Sequence, residues 1–182
     1  MMKQENKFNF HPMVELGIFS SFMENIDLNY WIELCYKVKE SSNTSVVRSN
    51  RGGWQSEGNM HYNRDFFPIV KEIKDFIYPL FQNPHEKITS LWANISPSMS
   101  YNSPHTHTAG DAYPYTEYSG VIYLKTPPEC GRICFKNLLN TNDVNEIIPQ
   151  EKMIIIFPAV LEHYVEPNLS NEDRISIAFN YE

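Results

Sequence analysis

Asp173-Arg174-Ile175-Ser176-Ile177-Ala178-Phe179 alternates residue by residue, with a guanidinium and a hydroxyl at one parity and Ile175, Ile177 and Phe179 at the other. Successive side chains of an extended chain point to opposite faces, so the alternation predicts a strand over Arg174–Tyr181 with one apolar and one polar face. Upstream the same kind of short β run recurs at Ile88–Ile95, Tyr118–Lys125, Arg132–Phe135, Val144–Ile148, Lys152–Phe157 and His163–Glu166. Pro127-Pro128, Cys130-Gly131 and Pro167-Asn168 punctuate them. Short strands separated by turn residues predict a mainly β fold, a sandwich or jelly roll. Two amphipathic helices precede it. Leu28, Trp31, Ile32, Leu34, Cys35 and Val38 recur at helical spacing behind a cap at Asn25 or Asp27. Phe66, Ile69, Val70, Ile73, Phe76, Ile77 and Leu80 do so within Asp65–Phe81, with Pro68 in the first turn, where proline is tolerated. Val14–Phe19 is expected to form an early edge strand.

A chain of 182 residues with 42% hydrophobic content builds one core comfortably. We expect a single domain over residues 1–182, with helical and lid elements in 1–86 packing on a jelly-roll core in 87–182. The net charge of −7 offers no general attraction to a phosphate backbone, and the only visible basic cluster is Arg48 with Arg51, so nucleic acid is not an expected partner. Cys35, Cys130 and Cys134 are odd in number and lack CxxC spacing, which argues against a disulfide framework and a zinc knuckle. The first ten residues carry no apolar leader and no segment is long enough to span a bilayer, so a reducing cytoplasm is the expected home. Oligomerisation is left open.

Chemistry concentrates in His105-Thr106-His107 and His163. Residues i and i+2 of an extended strand share a face, so His105 and His107 can offer two nitrogens to one point. His163 follows the apolar run Met153–Phe157 and can arrive from a separate strand. Three protein ligands on one face leave positions open for substrate and oxygen, the pattern of a catalytic metal, although imidazole suits iron, zinc, copper and nickel alike. Eleven residues beyond His163 stands Arg174: alone it reads as a surface charge at a strand edge, but if it points inward with Ser176 it needs an anion, and its planar fork matches a carboxylate.

The pair of histidines, the distal His163 and Arg174-x-Ser176 together resemble the 2-oxoglutarate, iron(II)-dependent oxygenases. Ser49–Ser56, Leu91–Ile95, Ser119–Leu124, Phe157-Pro158 with His163, and Arg174 through Asn180 resemble one uncharacterised bacterial and phage branch of that superfamily, in order, from about residue 46 onward. The resemblance implies a double-stranded β-helix and a site in which His105 and His163 ligate Fe(II) and Arg174 grips the far carboxylate of 2-oxoglutarate. Asn94 and Ser176 would add hydrogen bonds to that cosubstrate. It implies oxidative decarboxylation of 2-oxoglutarate coupled to hydroxylation of a C–H bond in a small molecule or a protein side chain.

One position departs from the superfamily, which usually has Asp or Glu where this chain has His107. A neutral imidazole there raises the net charge of the site by one unit and weakens its hold on hard divalent iron. Three readings stay open: His107 ligates, Asp111 or Glu117 supplies an oxygen, or water takes the third place. A 2-oxoglutarate-independent, cupin-type metalloenzyme with three histidines is a second function, and a non-enzymatic, metal-stabilised structural or binding protein, such as a phage particle component, is a third. Ser49–Ser56 reads equally as a substrate lid or as a turn that packs Trp54 on the core. Tyr113, Tyr115 and Tyr118 could line a substrate entrance or serve as amphipathic cover on a loop, and Glu162 reads equally as orienting an imidazole from behind or as an outward-facing strand carboxylate. His11, His61 and His85 are expected at the surface or in caps.

Overall fold

A computed structural model of the chain describes residues 17–42, 44–81, 87–108, 116–138, 140 and 142–182. Eleven strands and two helices follow in chain order: β1 (Phe19–Phe22), α1 (Leu28–Ser41), β2 (Asn50–Arg51), β3 (Trp54–Gln55), α2 (Phe67–Phe81), β4 (Ile88–Ser96), β5 (Tyr101–His105), β6 (Tyr118–Lys125), β7 (Ile133–Lys136), β8 (Val144–Ile147), β9 (Met153–Pro158), β10 (His163–Val165) and β11 (Arg174–Tyr181). They form a six-stranded sheet, β1-β9-β6-β11-β4-β3, and a five-stranded sheet, β2-β5-β10-β7-β8. Within both sheets every neighbouring pair is antiparallel, and the two sheets make the jelly roll that the short β runs predict.

Alternation decides which side each strand buries. Leu91, Ala93 and Ile95 of β4, Ile122 and Leu124 of β6, and Ile175, Ile177 and Phe179 of β11 join Trp31, Leu34 and Cys35 of α1 and Ile69, Ile73 and Ile77 of α2 in one core cluster. The helices therefore cover the outer face of the six-stranded sheet. Each large side chain so enclosed contributes roughly 1.5–3 kcal/mol of apolar burial. On the inner face Val121, Tyr123, Ile155, Phe157 and Ala178 meet Ile133 and Phe135 of the second sheet in a smaller cluster. β9 is buried on both sides, which is why Met153–Phe157 reads as an unbroken apolar run.

Asp27 takes the cap of α1, accepting from the Tyr30 amide at 3.1 Å. The early strand begins at Phe19, where the expected one ends, because Phe19 and Phe22 pair with Ile156 and Met153 of β9; Val14 to Leu16 lie outside the described residues. The histidine spacing calls for an extended segment at His105, but no alternation announces the rest of β5: Tyr-Asn-Ser-Pro-His has no apolar period, and Pro104 sits where the pairing with β10 is irregular, a place that tolerates a missing amide donor. Ser49–Ser56 forms β2 and β3 on the edges of the two sheets, with Trp54 half-buried against the main core and its indole N–H donating to the Thr44 carbonyl at 3.3 Å. Tyr118 does not stand at an entrance; its ring packs on Phe81 of α2 at 4.6 Å between centroids.

Gly120 is required by the same core. It faces Phe179 across the β6–β11 ladder, and a Cβ there would stand 2.2 Å from the Phe179 ring. Gly120→Ala is expected to cost about 1–3 kcal/mol, as other overpacking changes do, and to lower the urea midpoint with an unchanged slope.

Candidate metal centre

His105 closes β5 and His163 opens β10, and the two are register partners in the five-stranded sheet. His107 lies two residues past the end of β5, so the shared strand face expected for His105 and His107 is replaced by a bend. Its amide donates to the Ala159 carbonyl at 2.9 Å, which returns the chain to the same spot. The ring centroids stand 4.2 Å (105 to 163), 5.1 Å (107 to 163) and 5.2 Å (105 to 107) apart. One ligand atom from each lies within 4.8 Å of the others.

Their hydrogen bonds settle the tautomers. His105 Nδ1 lies 2.8 Å from the Ser103 carbonyl and His163 Nδ1 lies 3.0 Å from the Leu161 carbonyl. A carbonyl only accepts, so both Nδ1 atoms carry the proton and both Nε2 lone pairs are left for another partner. At His105 that partner is the Ser49 hydroxyl, which donates to Nε2 at 3.2 Å. Burial holds all three imidazoles below their ordinary range: His107 at about 4, His163 well below, with the neighbouring rings adding to the effect, and His105 lowered against the pull of the Ser103 carbonyl. Neutral, desolvated imidazoles with oriented lone pairs are what a divalent metal needs.

The histidines open on a cavity of about 430 Å³ between the sheets, walled also by Trp92, Asn94, Val121, Tyr123, Phe157, Arg174, Ser176, Ala178 and Asn180. Arg174 is only 3% exposed and makes no ion pair among the described residues. Its guanidinium donates to the carbonyls of Cys130 and, at 3.4 Å, Glu166, and burial pulls its affinity for the proton down. That cradle is itself braced: Arg132 clamps the Glu166 carboxylate at 2.7 and 2.8 Å, and Gly131, at φ +88°, lets its neighbour's chain approach where a Cβ would lie 2.3 Å from the Glu166 carbonyl oxygen. A buried guanidinium held only by neutral carbonyls still lacks an anion.

Asn94 and Ser176 are register partners on the cavity face, one step along from Arg174. Ser176 is also opposite Tyr123, whose phenol burial keeps protonated. Glu117 is exposed and does not line the cavity, and Asp111, Tyr113 and Tyr115 lie outside the described residues, as do His11 and His85. Glu162 pairs with Lys136, and its charge also acts on His105, favouring the protonated ring. His61 lies against Tyr62, the rings tilted by 44°, away from the cavity. Cys134, Glu146 and Glu166 form a second grouping of possible ligand atoms, but both carboxylates are already paired with Arg132. Sequence reasoning missed Tyr123, Ser119 and Asn180. The signal for Asn180 was present, since it continues the parity of Arg174 and Ser176 to the far end of the strand.

Residues 136–180 match the family model described as "Putative 2OG-Fe(II) oxygenase". No curated protein matches the chain. Among solved structures, the chain is similar to a prolyl-4-hydroxylase from Pseudomonas putida, with 12% identity and a TM-score of 0.71 over 92% of each chain. It is similar to the non-heme alpha ketoglutarate dependent epimerase SnoN from nogalamycin biosynthesis, with 12% identity and a TM-score of 0.73 over 92% of this chain and 78% of that one. It is also similar to HygX from Streptomyces hygroscopicus, in a structure with nickel and 2-oxoglutarate bound, with 13% identity and a TM-score of 0.64 over 91% of this chain and 82% of that one. The resemblance read from the residues therefore holds: this chain has the fold of the 2OG-Fe(II) oxygenases, and its C-terminal strands match a family of them.

Proposed function

We propose that the protein is a non-haem iron, 2-oxoglutarate-dependent dioxygenase that hydroxylates a C–H bond of a small molecule or of a protein side chain, working as one domain. The observation that carries this reading is a single cavity that holds both a cluster of three neutral imidazoles and a buried guanidinium without an anion. The donor set fits the metal, because His105, His107 and His163 would hold a divalent ion and leave positions open on it. Arg174 fits the distal carboxylate of the cosubstrate, with Asn94 and Ser176 donating beside it. Fe(II) and 2-oxoglutarate, when bound, supply with dioxygen a two-electron oxidation that releases succinate and carbon dioxide.

The chain's own part is placement and exclusion of water. Cys130 and Glu166 point Arg174 into the cavity, and Trp92, Val121, Phe157 and Ala178 make the walls dry, which strengthens the pairing of the guanidinium with a carboxylate. The three free cysteines support a reducing compartment. HygX crystallised with nickel and 2-oxoglutarate, and SnoN, named an alpha ketoglutarate dependent epimerase, support the cosubstrate in this reading. Purified protein supplied with Fe(II), ascorbate, dioxygen and 2-oxoglutarate is expected to form succinate slowly even without its substrate. Failure of the metal-loaded protein to bind 2-oxoglutarate would overturn the assignment. It would favour the cupin-type alternative, which the third histidine supports and in which Arg174 clamps a substrate carboxylate instead.

A further inference from the structure

His107 stands where the superfamily usually has a carboxylate, and its environment differs from that of the other two histidines. His105 and His163 each give their Nδ1 proton to a backbone carbonyl two residues earlier. His107 has no such carbonyl; its Nδ1 lies 2.7 Å from Asn180 Oδ1 and 2.8 Å from Ser119 Oγ, and the Ser119 hydroxyl donates to the same Asn180 oxygen at 2.9 Å. Ser119 and Asn180 are 0% and 3% exposed, and they face each other across the β6–β11 ladder. Both sit on the six-stranded sheet, whereas His107 lies on a bend beyond β5.

We infer that Asn180, hydrogen-bonded to Ser119, is the positioning residue that makes His107 a metal ligand. The Ser119 hydroxyl donates to Asn180 Oδ1 with the amide oxygen turned toward the ring; a reversed amide would instead donate its NH₂ to His107 Nδ1 and place the ring proton on Nε2. The oxygen so turned requires a proton on His107 Nδ1, so the Nε2 lone pair faces the centre. In the superfamily pattern a carboxylate needs no tautomer. A histidine substituted at that place does, and on a bend without a local carbonyl it needs an acceptor from elsewhere in the fold. The polar parity of β11 supplies it: Arg174 at one end serves the anion, and Asn180 at the other serves the metal.

This inference rests on the metal-centre reading above, and the test separates the two. In protein labelled with ¹⁵N-histidine, long-range ¹H–¹⁵N spectra of the metal-free wild type should show His107 as the Nδ1–H tautomer. Asn180→Leu should give a mixture or the Nε2–H form. Calorimetric titration with Co(II) should show affinity falling 10- to 100-fold in Asn180→Leu and a few-fold in Ser119→Ala, the range seen when partners behind a ligand are removed. Asn180→Asp, which can only accept, should restore wild-type affinity or exceed it, and should keep the wild-type Co(II) absorption spectrum; a side chain needed merely for packing would not give that rescue. If Asn180→Leu does not fold, Ser119→Ala and Asn180→Asp decide the matter. Wild-type protein that binds no Co(II) would overturn the centre itself and the inference with it. Wild-type binding matched by Asn180→Leu, or lost equally in Asn180→Asp, would overturn the positioning role alone.

Discussion

Arg174→Gln is expected to raise the dissociation constant for 2-oxoglutarate at least 30-fold, while affinity for the metal stays within about threefold of wild type. Truncating one partner of a buried, hydrogen-bonded charge pair costs about 2–5 kcal/mol, and each 1.4 kcal/mol is a factor of ten. Arg174 is placed for the upper part of that range, since it is 3% exposed and has no protein carboxylate to fall back on. Arg174→Lys keeps the charge but loses the planar fork, so about a tenfold loss is expected. Calorimetry on the Ni(II)-loaded protein, titrated with 2-oxoglutarate, measures both. Unchanged affinity in Arg174→Gln would show that the guanidinium serves the fold only.

His163→Ala should remove metal binding altogether, with affinity for Co(II) reduced more than 100-fold, beyond what loss of a supporting partner causes. His163 is 4% exposed, lies against His105 and His107, and packs on Phe157 with ring centroids 4.6 Å apart. A ligand that binds only the native state stabilises it by about 2.7 kcal/mol at 100 times its dissociation constant. Wild-type protein should therefore melt at a higher temperature with added Ni(II), and His163→Ala should not. His61→Ala, outside the cavity, should keep the full metal-dependent shift. A shift that survives in His163→Ala would place the ion elsewhere.

Much of this was readable in the residues because alternation and burial are local signals. Tyr118–Lys125 and Arg174–Tyr181 keep the bounds that their patterns predict, and α1 starts behind its Asp27 cap. Most of β5 was hidden, since a strand of Tyr-Asn-Ser-Pro-His is held by its neighbours β2 and β10 and not by propensity. The approach of His105 to His163 is set by that non-local ladder, which no spacing encodes. His107 reaches them by a bend tied to Ala159, so the i, i+2 argument names the right residues through a different geometry. For Glu162 and Tyr118 the sequence left two roles open, because the partners that decide between them, Lys136 and Phe81, come from distant parts of the chain.

β11 carries two ledgers on one ribbon. Ile175, Ile177 and Phe179 complete the main core, while Arg174, Ser176 and Asn180 furnish the cavity. A slip of a single residue against β4 and β6 would swap these sets, turning a guanidinium into the hydrocarbon beneath the helices and an isoleucine toward the histidines. The alternative pairing is thus penalised by the core as soon as it ruins the chemistry. Protein that has folded to native stability has, by that fact, also aimed its clamp.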